Sequence, residues 1–280
     1  MFTINCKGKI LSLADPLIMG IINTTPDSFY QGHLKDGIDA MVSMATQMLS
    51  DGADILDIGG QSTRPGSERI SMNEELERVL PLIEAIHEKI PGAIISIDTY
   101  YSAVATAAVA AGASVVNDIS AGNMDKAMLG TVASLQVPYV CMHMKGEPAT
   151  MQHEAVYEDV VKEVLDFFIN KIESCSKAGI NDIIIDPGFG FAKTIEHNFQ
   201  LLRSLSVLTM TGKPILAGLS RKSTIYNTLG ITVDEALNGT TVLNTMALMN
   251  GASILRVHDV KAAKEAVTLF NAYKKRPSQC

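Results

Sequence analysis

The stretch GINDIIID, residues 179–186, holds the pattern that decides the fold. A glycine leads, three isoleucines follow a polar step, and an aspartate closes the run. So short and apolar a run suits a strand buried on both faces, as in a parallel sheet. The glycine before it suits the left-handed residue that ends a helix. The same phrase returns as GADILD (52–57), GASVVND (112–118), GKPILAG (212–218) and GASILRV (251–257). Each return reads as one helix ending and one strand beginning.

Three further runs, LIMGII (17–22), AIISI (93–97) and VPYVCM (137–142), bring the strands to eight. Between them apolar residues recur at helical spacing: Ile38, Met41, Val42, Ala45, Met48 and Leu49; Leu76, Val79, Leu80, Ile83 and Ile86; Val160, Val161, Val164, Phe168 and Ile172; Ala263, Val267 and Phe270. Ser71 and Glu74 have capping-box spacing before the second of these stripes. Eight strand-then-helix units predict an α/β chain folded as a closed (β/α)8 TIM barrel, one domain over residues 1–280, with residues 1–15 as a short strand or hairpin before the first barrel strand. An open doubly wound sheet is the alternative; no GxGxxG fingerprint follows the first strand to favour it.

Composition narrows the function. A net charge of −7 leaves no electrostatic footprint for nucleic acid or an anionic membrane. Cys6, Cys141, Cys175 and Cys280 are scattered, with neither zinc spacing nor a disulfide framework. The N-terminus MFTINCKGKI lacks the apolar core of a signal peptide, and no apolar run reaches the ~18 residues of a membrane helix. The expectation is a cytoplasmic protein with reduced thiols, acting on small molecules.

In a barrel the C-terminal strand ends converge on one mouth, where catalytic groups sit. The residues closing the runs are all polar: Asn23, Asp57, Asp98, Asn117 with Asp118, His143, Asp186, then Ser220, Arg221 and Lys222, and finally Arg256 with His258. Any one of them could simply cap the next helix. Eight in register are costly at buried strand ends unless paired or used. Asp98, Asn117 and Asp186 form an acceptor-rich group suited to a planar heterocycle with several N–H donors. Asn23, Arg64, Arg256 and His258, with Lys222 between the groups, suit phosphate oxygens. The set points to a nitrogen heterocycle joined to a phosphate or diphosphate. Lys222 could alternatively be a Schiff-base lysine, although Arg221 and Ser223 beside it favour anion binding. His143 and Asp118 read as structural, and Phe29 and Phe189 could serve either the site or plain packing.

INTTPDSF (22–29), DIGGQSTRPGS (57–67), IDTY (97–100), NDIS (117–120), MHMKGEPATMQ (142–152), DPGFGFAK (186–193), GLSRKS (218–223) and RVHDV (256–260) together resemble the dihydropteroate synthase family, in order, over about residues 17–260. The resemblance implies condensation of a (7,8-dihydropterin-6-yl)methyl diphosphate with 4-aminobenzoate, using Mg²⁺, to give dihydropteroate and pyrophosphate in folate synthesis. It further implies a homodimer, sulfonamides as inhibitors, and particular site residues. Asp98, Asn117, Asp186 and Lys222, with Met142 and Gly218 from the matching motifs, would bind the pterin. Asn23, Thr63, Arg64, Arg256 and His258 would hold the diphosphate, Asn23 also serving as the metal ligand. Thr63, Arg64, Pro65, Phe191, Lys222 and Ser223 would hold the aminobenzoate. Asp98, Lys222, Arg256 and His258 would take part in catalysis. Thr24 and Thr224 stand where the family often has valine and a larger apolar residue. The runner-up is a pterin-binding methyltransferase domain handling a methylated folate, which needs no diphosphate site.

Overall fold

The computed structural model describes residues 2–24, 34–61, 69–147 and 151–275. Ten strands and nine α-helices occur among them. The first two strands, β1 (Thr3–Cys6) and β2 (Lys9–Ser12), form an antiparallel hairpin. The barrel strands follow as β3 (Leu17–Asn23), β4 (Ile55–Gly59), β5 (Ile95–Asp98), β6 (Val115–Asp118), β7 (Tyr139–Met142), β8 (Ile183–Asp186), β9 (Leu216–Ala217) and β10 (Ile254–Val257). They pair in parallel in the order β8-β7-β6-β5-β4-β3-β10-β9. A parallel bridge between Ile185 and Ile215 brings the two ends of this ring together, so the expected (β/α)8 barrel is what the chain forms.

Helices α1 (Leu34–Ser50), α2 (Met72–Lys89), α3 (Ser102–Ala111), α4 (Met128–Leu135), α5 (Val160–Ala178), α6 (Ile195–Arg203), α7 (Ser223–Leu229), α8 (Leu237–Met249) and α9 (Val260–Lys274) lie between and after the strands. The returning glycines Gly52, Gly112, Gly179, Gly212 and Gly251 all have positive φ, between 65° and 128°. Ser71 caps α2 by accepting from the Glu74 N–H at 3.2 Å. The reciprocal half of that box is absent, because the Glu74 carboxylate pairs with Arg78 one turn on.

Strand residues alternate between two cores. One set, including Ile18, Leu56, Ile97, Val116, Cys141, Ile185 and Leu255, faces the helices. The other, Met19, Ile55, Val115, Val140, Ile184, Leu216 and Ile254, fills the barrel interior, and Ile4 and Cys6 of the hairpin pack against its lower end. The hairpin thus plugs the bottom of the barrel, tied to it by the Asn5 N–H donating to Asp182 at 2.9 Å.

Candidate active site

Two residues beyond the last inward-facing residue of each barrel strand, on the same side of the strand, the chain places a residue at the mouth. Ile21 leads to Asn23, Ile55 to Asp57, Val115 to Asn117, Val140 to Met142, Ile184 to Asp186, Leu216 to Gly218 and Ile254 to Arg256. Ser96 leads in the same way to Asp98. The period of two therefore projects the predicted residues into one layer at the top of the barrel. Asp118 has the opposite parity. It is wholly buried towards the helices, accepting from Ser120, Gly122 and the Tyr139 hydroxyl at 2.7 Å each, which is the structural role expected of it.

Arg256 crosses this layer from β10. Its Nε donates to Asp57 Oδ2 at 2.6 Å and its Nη2 to Asp98 Oδ2 at 2.7 Å. Asp57 Oδ2 also accepts from the Asn117 amide at 3.0 Å, while Asp57 Oδ1 is buried without a partner. Burial pushes the Asp98 carboxyl up to about 7 against the pull of Arg256, with Asp57, Asp118 and Asp186 pushing the same way. Asp186 is raised by burial against the pull of Lys222. Arg256 stays charged: burial opposes its charge, and Asp57 and Asp98 more than restore it. The guanidinium is thus bonded to two carboxylates.

Lys222 approaches from the other side. Its ammonium donates to the Phe189 carbonyl and lies 4.8 Å from the centre of the Phe191 ring. Burial lowers it to about 8, with Asp186 pulling back up. At Gly218 an added Cβ would lie 3.7 Å from Lys222 Nζ and 4.0 Å from Asp186 Oδ2, in ordinary contact with both, so the glycine leaves room the size of a methyl group beside the two charges. His258 is held by Ser220, whose hydroxyl lies 3.0 Å from Nδ1 and accepts from the His258 N–H at 3.2 Å. Burial and the nearby Arg256 lower this imidazole to about 4. In the neutral tautomer whose Nδ1 accepts from Ser220, Nε2–H is left as a donor.

These positions lie within the span matched by the family model for pterin binding enzymes, residues 19–258. The dihydropteroate synthase of Escherichia coli K12 is 41% identical over 268 residues, covering 95% of this chain and 94% of that one. That of Haemophilus influenzae is 42% identical over 268 residues, covering 95% and 97%. The chain belongs to the dihydropteroate synthases. Among solved dihydropteroate synthases, the Xanthomonas albilineans enzyme with 4-aminobenzoic acid superimposes with a TM-score of 0.91 at 41% identity, covering 98% of this chain and 99% of that one. The same organism's enzyme with 7,8-dihydropteroate gives 0.89 at 39%, covering 99% and 100%. A Yersinia pestis enzyme in a sulfonamide complex gives 0.91 at 40%, covering 98% and 99%. Its activity is therefore the family's: a transferase of folate synthesis that releases pyrophosphate. The methyltransferase alternative gives way to these relatives.

Of the residues expected in this synthase's site, Asn23, Asp98, Asn117, Met142, Asp186, Phe191, Gly218, Lys222, Ser223, Arg256 and His258 are described, and Thr63, Arg64 and Pro65 lie outside the described residues, as does Phe29. Ser223 is the first residue of α7, directly after Lys222. Arg221, whose place beside Lys222 suggests anion binding, is bonded to other groups of the chain. Its guanidinium pairs with both Asp259 oxygens, at 2.8 and 2.9 Å, and donates to the Val233 and Asp234 carbonyls. Two residues were missed by the sequence reading. Asp57 was noted at its strand end but given no task, although its parity with Asp98 and Asn117 was there to be read. Lys193, in DPGFGFAK, sits buried beside His143; nothing local to the sequence separates it from a solvated helix-cap lysine.

Proposed function

We propose that the mouth of this dihydropteroate synthase divides into an acceptor-lined pterin pocket and a neighbouring anion site, and that the whole chain works as one domain. Asp98, Asn117 and Asp186 accept from the pterin edge, with Met142 as an apolar wall and the space at Gly218 admitting the flat ring beside Lys222. Asn23, Arg256 and the neutral Nε2–H of His258 hold diphosphate oxygens, together with Thr63 and Arg64. Phe191, Lys222, Ser223, Thr63, Arg64 and Pro65 receive the 4-aminobenzoate.

Among the described residues no three His, Cys, Asp or Glu side chains gather as a metal cluster. Asn23, exposed at the end of β3, offers one oxygen of the hard kind Mg²⁺ prefers. That donor set fits an ion held by one side chain and completed by substrate phosphates, and when bound it would neutralise charge on the leaving diphosphate. The chain's own residues do the rest. Arg256 and His258 stabilise the departing anion, and Asp98 offsets positive charge left on the pterin-methyl group. The aniline nitrogen then forms the new C–N bond, and its N–H is acidic enough to leave only after that bond exists, so no strong base is required.

The observation that carries this reading is Arg256 bridging Asp57 and Asp98, with Asn117 bonded to Asp57, which puts acceptors and cation in one layer. The test incubates the protein with the dihydropterin diphosphate, Mg²⁺ and 4-aminobenzoate and follows pyrophosphate and dihydropteroate together. Asp186→Ala should abolish pterin binding, and Ser223→Ala should mainly raise the KM for aminobenzoate; a selective loss of pterin affinity in the second would overturn the placement of Ser223. A homodimer belongs to the same reading, supported by the exposed Leu229, Leu237, Val242, Met246 and Met249 on α7 and α8, and sedimentation tests it. A cytoplasmic site accords with the lack, among the described residues, of a helix long and apolar enough to cross a membrane.

A further inference from the structure

Lys193 is buried at 3% exposure, with no carboxylate among its hydrogen-bond partners. Its Nζ lies 3.0 Å from the Gly188 carbonyl, 3.0 Å from the Phe191 carbonyl, 3.0 Å from His143 Nδ1 and 3.4 Å from the His143 carbonyl. The backbone between Asp186 and Lys193 is wound so that these carbonyls face inwards: Gly188, Gly190 and Ala192 have φ of 69°, 82° and 48°. Left-handed residues in alternation cost conformational free energy, least for glycine. Of the two carbonyls between the caged ones, that of Phe189 accepts from Lys222. Gly190 is held in turn by Asn198, whose Oδ1 accepts from its N–H at 2.8 Å.

We infer that Lys193 is a positioning residue for the transferase reaction: by caging the Gly188 and Phe191 carbonyls it fixes the loop that presents Asp186, the Phe189 carbonyl and the Phe191 ring to the substrates. This rests on the proposed division of the mouth. A buried ammonium is costly unless acceptors surround it, and a loop wound against its own torsional preference needs a fixed centre. The cage persists in either protonation state. As an ammonium, Lys193 donates to both carbonyls and to Nδ1 of the neutral His143. As an amine it still has two N–H groups for the carbonyls, and its lone pair can accept from the other His143 tautomer. Asp186 is tied to the same unit, its Oδ1 accepting from the Gly188 N–H at 2.8 Å and its carbonyl from the His143 N–H at 2.9 Å.

The test compares the native protein with Lys193→Met, which keeps the bulk and removes the donors, and Lys193→Gln, which keeps two of them. Calorimetric titration with 7,8-dihydropteroate gives affinity, and steady-state kinetics give kcat and both KM values, normalised to folded protein. The expected result for Lys193→Met is weakening of dihydropteroate and a rise in the KM for the pterin diphosphate, each by roughly tenfold to a hundredfold, as for a small misplacement of binding groups. Lys193→Gln should fall between, and serves alone if the Met variant does not fold. A folded variant with native affinity and native KM, whatever its Tm, would overturn the inference and reduce Lys193 to a stability element. Asp186→Ala binding dihydropteroate as tightly as the native protein would overturn it by another route, by removing the site reading beneath it.

Discussion

Replacing Asp57 by alanine probes how the mouth is held before substrates arrive. Two bonds disappear, the 2.6 Å bond from Arg256 Nε and the 3.0 Å bond from Asn117 Nδ2. Hydrogen bonds to a charged group contribute about 1.5–3 kcal/mol each, so the gross loss is about 3–6 kcal/mol. Two effects offset it. Arg256 retains Asp98 at 2.7 Å and does not become an unpaired buried charge. The unpartnered Asp57 Oδ1 also no longer has to be desolvated, which returns about 1–3 kcal/mol. At the middle of both ranges the net destabilisation is about 2–3 kcal/mol, or roughly 4–12 °C in Tm for a chain of this size. Pterin affinity should fall as well, by about tenfold or more, because the amide of Asn117 loses the bond that sets its plane. Asp57→Asn should cost less stability, since it keeps an acceptor and the shape while removing the charge. Scanning calorimetry and titration with 7,8-dihydropteroate measure both effects. An unchanged Tm together with unchanged affinity would refute the view that Asp57 organises the layer.

Three further outcomes follow from particular side chains. Glu75 on α2 is wholly buried, and burial pushes its carboxyl from 4.5 to about 7, with the Thr99 hydroxyl pulling down and Asp98 pushing up. Because its folded-state pKa is raised, its contribution is present below pH 4.5 and lost as pH rises through 7, so Glu75→Gln should gain on the native protein by up to about 3 kcal/mol between those limits; urea unfolding at pH 5 and pH 8 tests this, and an equal difference at both would sink it. At Gly188, with φ of 69°, a Cβ would stand 2.0 Å from the His143 carbonyl oxygen, so Gly188→Ala should cost at least about 2 kcal/mol in stability and weaken dihydropteroate, measured by the same titration. Arg221→Ala loses a largely buried bidentate pair with Asp259 and two carbonyl bonds, which should lower stability by about 1–2 kcal/mol and, through the adjacent Lys222, raise the KM for aminobenzoate; an unaltered KM would show that the Lys222 loop holds itself.

The repeated glycine–strand phrase in the sequence was enough for the barrel, because burial on both faces of a parallel strand and a left-handed helix end are local requirements written in neighbouring residues. The layer at the mouth was legible for the same reason: a period of two carries each strand's interior parity on to the polar residue that follows it, and Asp118 falls out of the layer by one step. Which groups pair was not legible. Arg256 meets Asp57 and Asp98 across 199 and 158 residues of chain, from β10 over the lumen to β4 and β5. Coulomb attraction and desolvation are set by distance in the closed barrel, and no local spacing encodes that distance. Arg221 and Lys222 are adjacent in sequence, yet one is tied to Asp259 and the other points to the mouth, and the cage around Lys193 exists only because left-handed turns bring separated carbonyls to one point. The sequence determined the layer and its chemical inventory. The tertiary structure alone decided the partners, because charges and donors choose among neighbours in space.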